Sequence, residues 1–144
     1  NLDEVLDLIT KHFSLKLENI QKLRLKSLLP ELLKRINTYI EIKDDIEWIT
    51  IDDFICNNKD NLLILKDKNT MLKEIGFLLN ECMWSKDDID NCLKQYIIDK
   101  SIKFKDIGPI LRIALTGKTN SPDLVTVIYE LGCTISLNRL NYSY

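Results

Sequence analysis

Two arginines and one helix start carry most of the chemistry this sequence offers. Arg112 lies in "GPILRIALTGKTNSPDL", residues 108–124, with Ile110, Leu111, Ile113, Ala114 and Leu115 around it. A guanidinium in an apolar helix asks for a partner. One reading gives it an acid such as Asp106, or a snorkelled place at the surface. The other aims its planar fork of donors at a phosphate or a base edge. Arg24, in "LRLKSLL", reads by pattern as a surface charge on an amphipathic helix. Ser121 and Pro122 read as the N-cap and first position of a helix. Such a start also exposes free N–H groups and a positive dipole end, which suits an anion or a base acceptor.

Other templates are missing. The sequence holds no G-x-x-x-x-G-K-[ST], no G-x-G-x-x-G and no G-x-S-x-G. The single histidine, His12, has no Cys or Ser partner that the sequence places beside it. Acid pairs at Asp44–Asp45, Asp52–Asp53 and Asp87–Asp88 suit helix caps and solvated faces rather than catalysis. Cys56, Cys82, Cys92 and Cys133 form no C-x-x-C pair, so zinc spacing is absent and buried, reduced thiols are expected. No catalytic residue, metal ligand or cofactor-binding residue is assigned in this chain.

Helices must position these residues. "LDEVLDLITKHF" repeats apolar residues at a spacing of three and four. "LENIQKLRLKSLL" continues through Ile20, Leu23 and Leu28, and Pro30 is expected to open a new helix, "PELLKRINTYI". "EIKDDIEWITIDDFICNNKDN" reads as a polar connector in which "WITI" could be a short extended piece. Beyond it come "NLLILKD", "TMLKEIGFLLNECM" and a helix capped by Ser85. "IGPILRIALTG" has Pro109 near its start and Gly117 just past its end. "PDLVTVIYELG" stops at Gly132, and Thr134 is expected to cap a last helix. The fold class is all-α, with two small helical bundles in tandem, residues 1–57 and 58–144.

Composition bounds the rest. The chain has 144 residues, of which 45% are apolar and 29% charged. Its net charge of −2 excludes a general, charge-driven polyanion binder. Basic residues nevertheless gather locally, at Lys16, Lys22, Arg24, Lys26, Lys34 and Arg35, and again at Lys103, Lys105, Arg112 and Lys118. No apolar run approaches the roughly 20 residues of a membrane span. The chain begins without Met and without a signal peptide, and we expect it to be a piece of a longer, cytoplasmic protein.

The stretch "LRIALTGKTNSPDLVTVIYELG" resembles the C-terminal signature of bacterial-type glutamyl-tRNA synthetases. That signature has the form P-L-R-x-A-[LV]-T-G, then [ST]-P-x-L, a helix and a glycine. "MWSKDDIDNCLKQYIIDKSIKFKDIG" is similar to the family's preceding helix, and "LRLKSLLPELLKRINTYI" to its R-x-K-T-L segment. The resemblance implies two helical domains that bind the anticodon loop of tRNA-Glu. It places Arg24 on the arginine that reads the third anticodon base. Arg112 falls in the anticodon-binding wall, and Ser121, Pro122 and Leu124 on residues that contact the first two bases. Single-stranded bases are read by a few rigid donors and apolar platforms, which a net charge of −2 permits.

The sequence departs from the family pattern at three points. Ile110 stands where proline usually precedes L-R, with Pro109 one residue early; Ser27 replaces threonine; and Pro30 interrupts the upstream segment. The His-Ile-Gly-His and Lys-Met-Ser-Lys-Ser signatures do not occur. The chain itself is therefore expected to need no cofactor, ATP with Mg serving the full-length enzyme that joins glutamate to tRNA. A monomer that binds neither DNA nor membrane is expected. Two alternatives stay open: a helical protein-interaction module without RNA, and the same region of a synthetase that also charges tRNA-Gln.

Overall fold

The structure, a computed structural model, describes residues 1–144, and it is entirely helical. Two units separate between Asp52 and Asp53. The first holds α1 (Leu2–His12), α2 (Asn19–Leu33), a 3-10 turn (Tyr39–Ile42) and α3 (Lys43–Thr50). The second holds α4 (Lys59–Asp67), α5 (Asn69–Glu81), α6 (Lys86–Asp99), a 3-10 turn (Phe104–Asp106), α7 (Gly108–Thr116), α8 (Leu124–Leu131) and α9 (Cys133–Leu140). The division falls before residue 57, where the composition change suggested it. Phe54 and Cys56 explain the difference. Cys56 is buried, and the Phe54 ring lies against Gly117 on one side and the Arg139 guanidinium, 5.2 Å from its centroid, on another.

In the first unit, Leu25, Leu28, Leu29 and Leu32 form one stripe of α2 and are fully buried. Burial of each such side chain contributes about 1.5–3 kcal/mol. Ile20 and Leu23, expected on that stripe, are instead 62% and 63% exposed. Pro30 does not begin a helix. It sits inside α2, exposed, so the bond it cannot donate to the Lys26 carbonyl is lost on the solvent side. The leucines around it hold both halves of the helix to the core. The expected polar connector is also partly core. Trp48 and Ile49 are buried in α3, and the Trp48 Nε1–H donates to Asp45 at 2.9 Å. "WITI" is thus helical through Thr50, with extended backbone only at Ile51.

In the second unit, α7 is apolar on nearly every side and is covered by α4, α8, α9 and the preceding 3-10 turn. Gly117 ends it at φ +74°, a left-handed position that glycine adopts without the steric cost of a Cβ. Gly76 lets α9 approach α5 closely, since a Cβ there would stand 2.9 Å from Asn141 Oδ1. Ser85 caps α6 as expected, accepting from the Asp88 N–H at 3.1 Å. Thr134 does not cap α9; Gly132 holds that place and Thr134 lies in the first turn. The cysteines are free thiols, but only Cys56 is buried; the other three are half-buried. No helix is long and apolar enough to cross a membrane.

Two helix ends carried no sequence signal. After α1, the Ser14 N–H donates to Lys11 and the Leu15 N–H to Thr10, and after α6 the Ser101 N–H donates to Ile98 and the Ile102 N–H to Ile97. These are Schellman closures with a serine in the left-handed position, at φ 53° and 55°. Serine stands in each where glycine is usual. Ser101→Gly is expected to stabilise the fold by about 0.5–1 kcal/mol, because it relieves the left-handed strain. Urea denaturation of the two proteins measures it, and a loss of stability would contradict the assignment.

Candidate nucleic-acid interface

Arg24 is not the surface charge that periodicity suggested. It is 6% exposed, and its Nη1 donates to the Ile49 carbonyl and to Asp52 Oδ1, each at 2.9 Å. One turn earlier on the same face, Gln21 Nε2 donates to the Thr50 carbonyl at 2.9 Å. Its Oε1 accepts from the Glu18 N–H at 2.8 Å. Ile49 and Thr50 are the last residues of α3, where carbonyls have no helical partner. Two side chains of α2 therefore close the end of α3. Asp52 is 59% exposed, so its share of the Arg24 contact is a weak surface ion pair. The buried carbonyl bond is the structural part.

Arg112 is in a different condition. It is the one charged residue of α7 and is half-buried. Its guanidinium takes no ion pair and no hydrogen bond. Asp106, the acid considered for it, instead accepts from the Lys103 N–H at 2.8 Å and closes its own turn. Its Nη1 lies close to Gly108: a Cβ there would lie 3.3 Å from Arg112 Nη1 and 2.8 Å from Phe104 Cε1. Glycine thus leaves room for both side chains on one turn of the chain. Lys103 and Lys105, both exposed, belong to the segment leading into this turn.

Ser121, Pro122 and Leu124 are all buried. The Ser121 hydroxyl donates to the Pro122 carbonyl at 3.0 Å. It does not cap α8, which begins at Leu124 with Asp123 as its cap. Asp123 Oδ2 accepts from the Thr126 N–H and from its hydroxyl, both at 3.1 Å. A carboxylate thus already occupies the positive end of α8, which corrects the expectation of an open anion site there. Leu124 is 1% exposed and belongs to the core of the unit. These three residues fix the loop after α7 and present little side-chain surface.

The sequence reading missed Gln21 and Arg139. Arg139, 3% exposed, donates to the Leu115 carbonyl at 2.6 Å near the end of α7. Nothing local marks either residue, because each acts on a helix far away in sequence.

The fold corresponds to part of a solved protein. A glutamate tRNA ligase from Elizabethkingia meningosepticum matches 97% of this chain with a TM-score of 0.76 at 11% identity, over 28% of its own chain. The model of the anticodon binding domain family matches residues 4–144, and the chain belongs to that family. Curated relatives include glutamate–tRNA ligase 1 of Bartonella bacilliformis, 31% identical over 128 residues, which are 88% of this chain and 27% of that protein. The glutamate–tRNA ligase of Coprothermobacter proteolyticus is 31% identical over 116 residues, or 81% of this chain and 24% of that protein. The chain spans about a quarter of the length of these relatives.

The two arginines are therefore separable by stability. Arg24→Ala is expected to cost about 1–3 kcal/mol, because it strips a charged donor from a buried carbonyl. Arg112→Ala is expected to stay within about 0.5 kcal/mol. Urea denaturation followed by circular dichroism compares them. Equal losses would show that Arg112 has a structural partner.

Proposed function

We propose that this chain recognises the anticodon loop of tRNA-Glu as a region of a glutamate–tRNA ligase. The observation that carries the reading is Arg112. Bringing a guanidinium halfway out of water without a partner is unfavourable, and the second unit bears that cost on its central helix. A phosphate or a base edge would complete it with charge-assisted hydrogen bonds. The family membership and the ligase relatives point to the same ligand. Recognition by a few fixed donors also agrees with a net charge of −2, since the long-range field of the chain contributes little.

Arg24 enters this reading in a second way. Its contact with exposed Asp52 is weak enough to be exchanged for a base, while the bond to Ile49 holds the side chain in place. Ser121, Pro122 and Leu124 act by shaping the loop rather than by side-chain contact. Ligation of glutamate with ATP and Mg we assign to the remainder of the longer protein, since the catalytic signatures do not occur here.

Binding of the chain to transcripts of tRNA-Glu, tRNA-Gln and an unrelated tRNA tests the reading. The expected result is preference for tRNA-Glu, with affinity falling linearly in log salt. Arg112→Ala should weaken tRNA-Glu binding by about 1–3 kcal/mol and leave the unrelated tRNA nearly unchanged. Folded protein that binds all three alike, or none, would refute it.

A further inference from the structure

Phe104 is an aromatic side chain in the setting that a stacked base needs, and neither the periodicity nor the resemblance drew attention to it. It is 42% exposed, although its burial would be favourable. It is also held firmly. Its 3-10 turn is closed by the Asp106 N–H donating to the Lys103 carbonyl at 2.9 Å and the Ile107 N–H donating to the Phe104 carbonyl at 3.0 Å. Asp106 Oδ2 accepts from the Lys103 N–H as well. Ile107, the next residue, is fully buried and anchors the turn to the core. The ring edge rests on Gly108, where a Cβ would come to 2.8 Å, and the unpartnered Arg112 guanidinium flanks the same point. Lys103 and Lys105, on either side in sequence, are exposed.

We propose that Phe104 is a stacking platform for one unpaired nucleotide of the bound RNA, with Arg112 reaching the edge or phosphate of that nucleotide. Three features combine here: a fixed aromatic face, an unpaired guanidinium beside it, and flanking positive charge. Together they are what single-stranded recognition uses, the face for the base and the cations for the backbone. Gly108 is the positioning residue, since any side chain there would push the ring and the guanidinium apart. The inference rests on the tRNA reading given above. It adds a contact at a position where Pro109 supplies no donor of its own.

Binding of the chain to a tRNA-Glu anticodon stem-loop, followed by fluorescence anisotropy, tests it with two variants. Phe104→Leu keeps apolar volume against Gly108 but offers no π face, and Phe104→Trp keeps the face. If the base stacks, the leucine variant should bind about tenfold more weakly and the tryptophan variant at least as tightly as the parent chain. RNA should also quench the new tryptophan. One abasic substitution in the loop should weaken the parent chain but not add to the loss in Phe104→Leu. If Phe104→Leu binds within twofold of the parent while Arg112→Ala still loses affinity, the platform is wrong and the tRNA reading stands. If the parent chain does not bind the stem-loop at all, both fail. Circular dichroism of each variant shows whether it is folded, and a folded Phe104→Trp that loses binding like Phe104→Leu also overturns the proposal.

Discussion

Short helices leave much of their backbone without partners, and this fold depends on how those groups are satisfied. A helix of eight or nine residues, such as α3, α7 or α8, has more orphan carbonyls and N–H groups than internal bonds. Leaving one of them buried and unpaired costs about 1–3 kcal/mol. Side chains from other elements supply the partners. Gln21 and Arg24 close α3, Arg139 reaches the Leu115 carbonyl, and Asn61 donates to the Gly117 carbonyl at 3.3 Å. Around α8, Ser136 donates to Ile128 at 3.1 Å and Trp84 to Tyr129 at 3.3 Å. Each bond joins an element end to a residue elsewhere in its unit, so helix formation and tertiary packing are one process.

This arrangement also sorts the arginines. Arg24 and Arg139 are buried and spend a donor on a backbone carbonyl. Their charge does structural work. Arg112 sits on a largely buried apolar helix with no such bond, and Asp106, the acid considered for it, is occupied by a backbone N–H. The contrast separates scaffold from site more sharply than charge density does. Lys26 and Lys34 belong to a basic cluster in the sequence, yet they pair with Asp3 at 2.8 Å and Glu31 at 3.3 Å. With a net charge of −2, the chain suits the reading of a few bases more than the coating of a phosphate backbone.

Much of the fold was legible because its signals were local. Pro109, Gly117, Gly132 and Ser85 announce their roles within a turn of themselves. The misreadings have a common cause. Pro30 lies within a helix because leucines on both sides of it are buried, and only packing shows that. Ser14 and Ser101 end helices through backbone bonds that a serine does not advertise. Ser121 precedes a proline and imitates a cap, but Asp123 is two residues nearer to the free N–H groups. Trp48 marks a buried helix inside an acidic stretch because Asp45 bonds its indole. At the site, Arg112 stood out against apolar neighbours. The burial of Arg24 could not, since its partners lie 25 and 28 residues away.

The proposed division between scaffold arginines and a reading arginine is tested directly by NMR of the guanidinium Nε–H groups during titration with the tRNA-Glu anticodon stem-loop. Arg139 should give a slowly exchanging signal that does not move. Arg112 should exchange rapidly in the free chain, then shift and become protected as RNA is added. A protected Arg112 in the free chain that ignores the RNA, with Arg139 responding in its place, would contradict the assignment.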